Sequence, residues 1–270
     1  MRKPVNPYLA SGTNNRFGRS RLGGGVTASN SNARIVTNPP KVPDVPVTRQ
    51  LSAMVNMGLN SERARGMMIQ RLRDQGITNE AVLAAMMAVP RHMFVDQGLA
   101  SRAYEDAALP IGHGQTISQP WVVARMISAL CEHSAPAKVL EVGGGCGYQA
   151  AVLAQLIREV YVVERIRGLY DQARGRLKSL GLLPRVRLIH GDGMAGLPTS
   201  APFDAIIVAA AGLEIPPALT QQLTIGGRLI APEGTAAQRL VLLDRTGTNT
   251  WRRTELEAVR FVPLRGGVQF

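Results

Sequence analysis

From Lys138 onward, short apolar runs alternate with longer amphipathic stretches. Residues 139–142, 160–164, 186–190, 205–209 and 228–231 are mostly apolar and β-branched, the pattern of strands buried on both faces. Between them, residues 148–156 and a stretch ending near Leu180 carry helical periodicity, and 219–223 suits a short helix. Such alternation predicts a mostly parallel sheet covered by helices on both faces. Residues 240–244 and 258–264 predict two more strands with no helix between them, hence an antiparallel hairpin at the sheet edge. Upstream, Ser61 is the expected N-cap of a helix that presents Ala64, Met68 and Leu72 on one face and ends at Gly76. A second helix is expected to start at Thr78 or Asn79 and to stop before Pro90. A third covers 121–130, where Ser118 offers an N-cap and Pro120 fits the first turn.

Residues 1–50 break this pattern. They are rich in Asn, Ser, Gly, Pro and Arg, include Gly23-Gly24-Gly25, and show neither period, which predicts a disordered extension. The extension also holds most of the charge. It has eight Arg and Lys residues against Asp44 alone, leaving +5 of the formal +12 for the remaining 220 residues. No aromatic platform or amphipathic stripe accompanies these charges, so a solvated arm is preferred over an RNA- or membrane-binding one. The other 220 residues hold enough apolar side chains for a sizeable core. Only two cysteines occur, Cys131 and Cys146, and the four histidines are scattered, a pattern that fits a reducing cytoplasm and offers no metal cluster. No apolar run is long enough for a membrane span, and no secretion signal is expected at the N-terminus.

Candidate chemistry gathers at the carboxyl ends of the predicted strands, where ligands lie in open α/β sheets. The run KVLEVGGGCGY, Lys138 to Tyr148, delivers Glu141 into a turn containing Gly143, Gly145 and Gly147. A dinucleotide loop needs glycine where Tyr148 stands, so the spacing suits S-adenosylmethionine better than NAD. Glu164 ends the next strand, at a spacing suited to an acid that accepts hydrogen bonds from ribose hydroxyls. It equally suits an acid favoured at a helix N-terminus. Asp192, in His190-Gly191-Asp192-Gly193, ends the third strand and also suits an ordinary Asp-Gly turn. Residues 107–120, AALPIGHGQTISQP, are too rich in glycine and small polar groups for a core.

Together, Ala103-Tyr104-Glu105-Asp106, ALPIGHGQTISQPWVVARM, LEVGGGCGYQAAVLA, VYVVERI, GDG, APFDAIIVAAA, QLTIGGRLIAPEG and VRFVPL resemble the protein-L-isoaspartate O-methyltransferase family over about residues 61–265. The resemblance implies a Rossmann-like S-adenosylmethionine-dependent methyltransferase fold: a mostly parallel seven-stranded sheet, an antiparallel edge hairpin and an N-terminal helical addition. It also implies methyl transfer from S-adenosylmethionine to the α-carboxylate of L-isoaspartyl residues in aged proteins and peptides. By position, Glu141, Gly143, Gly145 and Gly147 fall on the family's cofactor loop, Glu164 on its ribose acid, and Asp192 with Gly193 on its adenine contact. Thr116 and Ser118 fall in its substrate loop. The expected organisation is a basic extension over 1–50 and a methyltransferase domain over 51–270. Within that domain, 51–136 supply helices and substrate loop and 137–270 the cofactor-binding sheet. The expected enzyme is a cytoplasmic monomer without a membrane or specific nucleic-acid partner.

Three local departures stand out. The third strand is followed by Gly193-Met194-Ala195-Gly196-Leu197 where bacterial members often carry tryptophans, and the fourth by Ala209-Ala210-Ala211-Gly212 where Thr-Ala-Ala then Pro is common. Cys146 replaces a small hydroxyl residue and reads as a packed side chain rather than a reactive thiol. Two other functions compete with this reading: a nucleic-acid methyltransferase guided by the basic tail, and a degenerate homologue that binds S-adenosylmethionine without turnover. Against the first, the Asn/Asp-Pro-Pro-aromatic and Pro-Cys motifs of those enzymes are absent.

Overall fold

The structure is a computed structural model that describes residues 47–270, so the expectation for residues 1–46 lies outside the described residues. Helix α1, Val47–Asp74, begins four residues before the boundary read from composition. Ser61 therefore lies inside a helix and is not its cap: between Val47 and Ser61 there is no proline and only the single Gly58 to interrupt it. Helix α2, Glu80–Ala88, starts as expected, with the Asn79 side chain accepting the Val82 N–H at 3.2 Å. Two 3-10 turns lead into a small antiparallel hairpin, β1 (Leu109–Gly112) and β2 (Gln115–Ile117), and then helix α3, Pro120–Leu130.

The alternating half follows as β3 (Lys138–Val142), α4 (Tyr148–Leu156), β4 (Glu159–Glu164), α5 (Arg167–Ser179), β5 (Val186–His190), β6 (Phe203–Val208), α6 (Pro217–Gln221), β7 (Leu223–Gly234), β8 (Gln238–Gly247) and β9 (Thr250–Val259). The strands form one sheet in the order β5-β4-β3-β6-β7-β8-β9. β5, β4, β3, β6 and β7 are mutually parallel, and β8 runs antiparallel to both β7 and β9. The chain thus crosses over at β3, and the carboxyl ends of β3, β4 and β6 meet where a ligand can lie.

Period-two alternation divides the core into two layers. Val139, Val160, Val162, Ala205 and Ile207 pack with α1 to α5, whereas Leu140, Val142, Val163, Ile206 and Val208 pack beneath α6. Two strand expectations need correction. β7 is much longer than 228–231, and β9 lies at 250–259 instead of 258–264. β9 is an edge strand whose Arg252, Arg253 and Glu255 are exposed, so charge hides its period. The apolar stretch 261–264 instead leaves the sheet, and isolated bridging ties Ala211 to Pro263. The short helix α6 also sits two residues earlier than expected.

Candidate active site

The site grows from the end of β3. Gly143 turns the chain at φ 86° and Gly145 at φ 52°, left-handed values that favour glycine. The N–H groups of Gly143 and Gly144 donate to Val163 O, at 2.9 and 3.3 Å, and fasten the loop across the end of β4. The Gly145 N–H donates to Glu164 Oε2 at 2.7 Å, and Glu164 Oε1 accepts from the Ile166 N–H at 2.8 Å, just before α5. One carboxylate therefore ties the glycine loop to the start of α5, which accords with the helix-terminal reading of Glu164.

Glu141 is buried beside this loop. Its Oε1 accepts a bond from Gln149 Nε2 at 3.3 Å, while Oε2 has no partner among the described residues. Burial pushes its carboxyl well above the usual carboxylate range, opposed by the Gln149 hydrogen bond and reinforced by the nearby Glu164. Burial also raises the Cys146 thiol despite its place before α4, consistent with a packed side chain.

The cleft brings together seven of the nine sequence-predicted residues: Thr116, Ser118, Glu141, Gly143, Gly145, Glu164 and Gly193. Gly193 closes against Val142, whose Cγ1 would lie 2.5 Å from an added Cβ. Gly147 and Asp192 stand outside the lining. A Cβ at Gly147 would lie 3.2 Å from Ala173 Cβ, so this glycine permits α4 to pack on α5. Asp192 accepts the Met194 N–H at 2.9 Å, as an Asp-Gly turn does, and the Gly267 N–H at 2.7 Å. It thereby clasps the segment that crosses the cleft, where Val262, Pro263, Leu264 and Arg265 add a wall. The Ala211 N–H donates to Val262 O, and the Leu264 N–H to Ala211 O, each at 2.8 Å.

The β1–β2 hairpin covers the glycine loop, with Ile111 Cδ1 3.3 Å from where a Gly145 Cβ would stand. Past β2, the cap assigned to Ser118 is corrected: Gln119 occupies the N-cap, and the Trp121 N–H donates instead to Asp106 Oδ1 at 3.1 Å. A carboxylate distant in sequence supplies what Ser118 does not, and the Ser118 and Thr116 hydroxyls make no hydrogen bond with the described residues. Asp106→Ala should therefore cost about 0.5–2 kcal/mol in urea unfolding, and Ser118→Ala only a few tenths. Equal losses for the two would restore Ser118 as the cap.

Sequence reading missed Arg91, a fully buried cation. Its Nε donates to Ala103 O and its Nη2 to Ser118 O, both at 2.7 Å, and its guanidinium lies 4.8 Å from the Tyr148 ring centroid. Burial lowers its pKa. The only signal was one arginine within the run Val89 to Phe94. Gln149 and the wall at 262–265 were missed as well, although Gln149 and residues 262–264 fall within stretches that carried the family resemblance.

A parallel sheet that crosses over at β3, a glycine loop at its carboxyl end and an acid ending β4 define a Rossmann-like S-adenosylmethionine-dependent methyltransferase. The model of the family described as protein-L-isoaspartate(D-aspartate) O-methyltransferase matches residues 63–269, and the chain belongs to that family. The protein-L-isoaspartate O-methyltransferase of Bordetella parapertussis is 65% identical over 269 residues, 100% of each chain. Its Burkholderia mallei counterpart is 57% identical over 214 residues, 78% of this chain and 66% of that one. A solved protein-L-isoaspartate O-methyltransferase shares 28% identity at TM-score 0.68, covering 76% of this chain and 67% of that one. A Plasmodium falciparum structure assigned to the same family and solved with S-adenosyl-L-homocysteine shares 25% identity at TM-score 0.66, covering 74% of this chain and 97% of the other.

Proposed function

We propose that this chain is a repair methyltransferase acting on the α-carboxylate of L-isoaspartyl residues in damaged proteins, with Thr116 and Ser118 positioning the acceptor. The observation that carries the assignment of residues is their meeting in one cleft: two hydroxyls without partners among the described residues line it together with the glycine loop and Glu164. S-adenosylmethionine, when bound, supplies an electrophilic methyl group. The residues fit such a group, since Glu141 Oε2 is a buried polar atom without a partner among the described residues and the loop from Gly143 to Gly145 presents backbone without side chains. Glu164 would hold the ribose hydroxyls and Gly193 would line the adenine end, where Asp192, outside the lining, would act through the turn it closes on Met194 and Gly267.

The acceptor needs orientation more than activation. A carboxylate with a reference pKa near 4 is ionised at neutral pH, so no side chain must remove a proton. Correct alignment can lower the barrier by about 7–11 kcal/mol, and the hydroxyls of Thr116 and Ser118 can donate to the carboxylate without neutralising it. The two free thiols, Cys131 and Cys146, suit a reducing cytoplasm, and no described helix is long and apolar enough to cross a membrane. The enzyme is read as a cytoplasmic monomer without a specific nucleic-acid substrate. A methyl-transfer assay should label an isoaspartyl peptide and leave the matched aspartyl peptide and RNA unlabelled. Transfer to RNA without transfer to the isoaspartyl peptide would overturn the reading.

A further inference from the structure

The cleft does not end at the acceptor hydroxyls. A second groove continues from it and shares Thr116, Ser118, Ala209 and Val262 as a common wall. Trp121 and Phe261 give the groove an apolar lining, and Arg260 is the only charged residue that lines it among the described residues. Arg260 is exposed and makes no hydrogen bond or ion pair with the described residues. On the edge strand just before it, the arginines are paired: Arg252 with Asp244 at 2.9 Å, and Arg253 with Glu233 at 2.9 Å. The cation beside the groove is thus left available while its neighbours are neutralised.

An acceptor carboxylate held by Thr116 and Ser118 belongs to a polypeptide that must continue past them. The groove offers that path. Its apolar lining can receive aliphatic parts of a peptide, and one unpaired guanidinium offers charge complementarity to a carboxylate carried nearby. The described domain also contributes to a net positive field that attracts anionic partners. We propose that the groove receives the residues flanking the isoaspartyl position and that Arg260 selects an acidic side chain there. This rests on the isoaspartyl reading above and adds a sequence preference to it.

The test uses isoaspartyl peptides that differ only by Glu or Lys at each flanking position, compared by kcat/KM at low and high salt. Wild-type protein should favour Glu by about five-fold at one position, and salt should shrink that ratio because the guanidinium is exposed. Arg260→Ala should flatten the ratio and Arg260→Glu should invert it. The ratio within each enzyme is insensitive to how much of it is folded. Equal use of Glu and Lys peptides by the wild type, or a ratio unchanged in Arg260→Glu, would overturn the preference while leaving the isoaspartyl assignment intact. Failure to methylate any of the peptides would overturn both.

Discussion

Arg91→Met should lower stability by about 2–4 kcal/mol and raise the KM for an isoaspartyl peptide more than that for the methyl donor. Methionine keeps much of the volume and removes the cost of burying a cation, but it leaves Ala103 O and Ser118 O without their donors. An unpaired buried carbonyl costs roughly 1–3 kcal/mol, and the stacking of the guanidinium on Tyr148 is lost as well. The larger effect on peptide KM follows because Arg91 reaches the backbone of Ser118, where the acceptor is read to bind. Arg91→Lys should recover only part of the loss, since a single ammonium lacks the planar fork that reaches both carbonyls. Urea unfolding and steady-state kinetics check both claims. A Met variant with wild-type stability and an unchanged KM ratio would show that this arginine fixes neither segment.

Glu164→Ala should reduce S-adenosylmethionine affinity by roughly 100-fold or more. Charge-assisted hydrogen bonds contribute about 1.5–3 kcal/mol each, and the substitution removes those proposed to ribose. It also releases the N–H groups of Gly145 and Ile166, so the loop and the start of α5 both lose their common acceptor. Glu164→Gln should fall between the two, because one amide oxygen can accept where two carboxylate oxygens did. Calorimetric titration decides the matter, and unchanged affinity in the Ala variant would confine Glu164 to a structural tie.

Buried parallel strands were legible because both their faces are covered, which leaves runs such as Val160 to Val163 almost free of polar residues. Glu141 and Glu164 were legible for the same reason, as acids at the penultimate position of β3 and the last of β4. The edge strand was not, since its exposed charges obey no burial period. The cap of α3 also escaped, because a local serine looked sufficient while Asp106 reached the helix from outside the sequence window that caps are read from. Arg91 and the Asp192 clasp on Gly267 escaped for a related reason: each acts through backbone groups that only the folded chain brings close.

The two reversals from β7 to β8 and from β8 to β9 have a parity consequence. An even number of reversals returns β9 to the direction of β7, so residues 260–265 emerge at the rim where β3 and β6 end and can wall the cleft. With one strand fewer, the same residues would emerge at the opposite rim, a sheet's length from the cofactor loop. The turn at residues 248–249 sits at that opposite rim. It is the natural place to insert a label or a fused domain, because strands can lengthen there without changing which end of the sheet receives the chain.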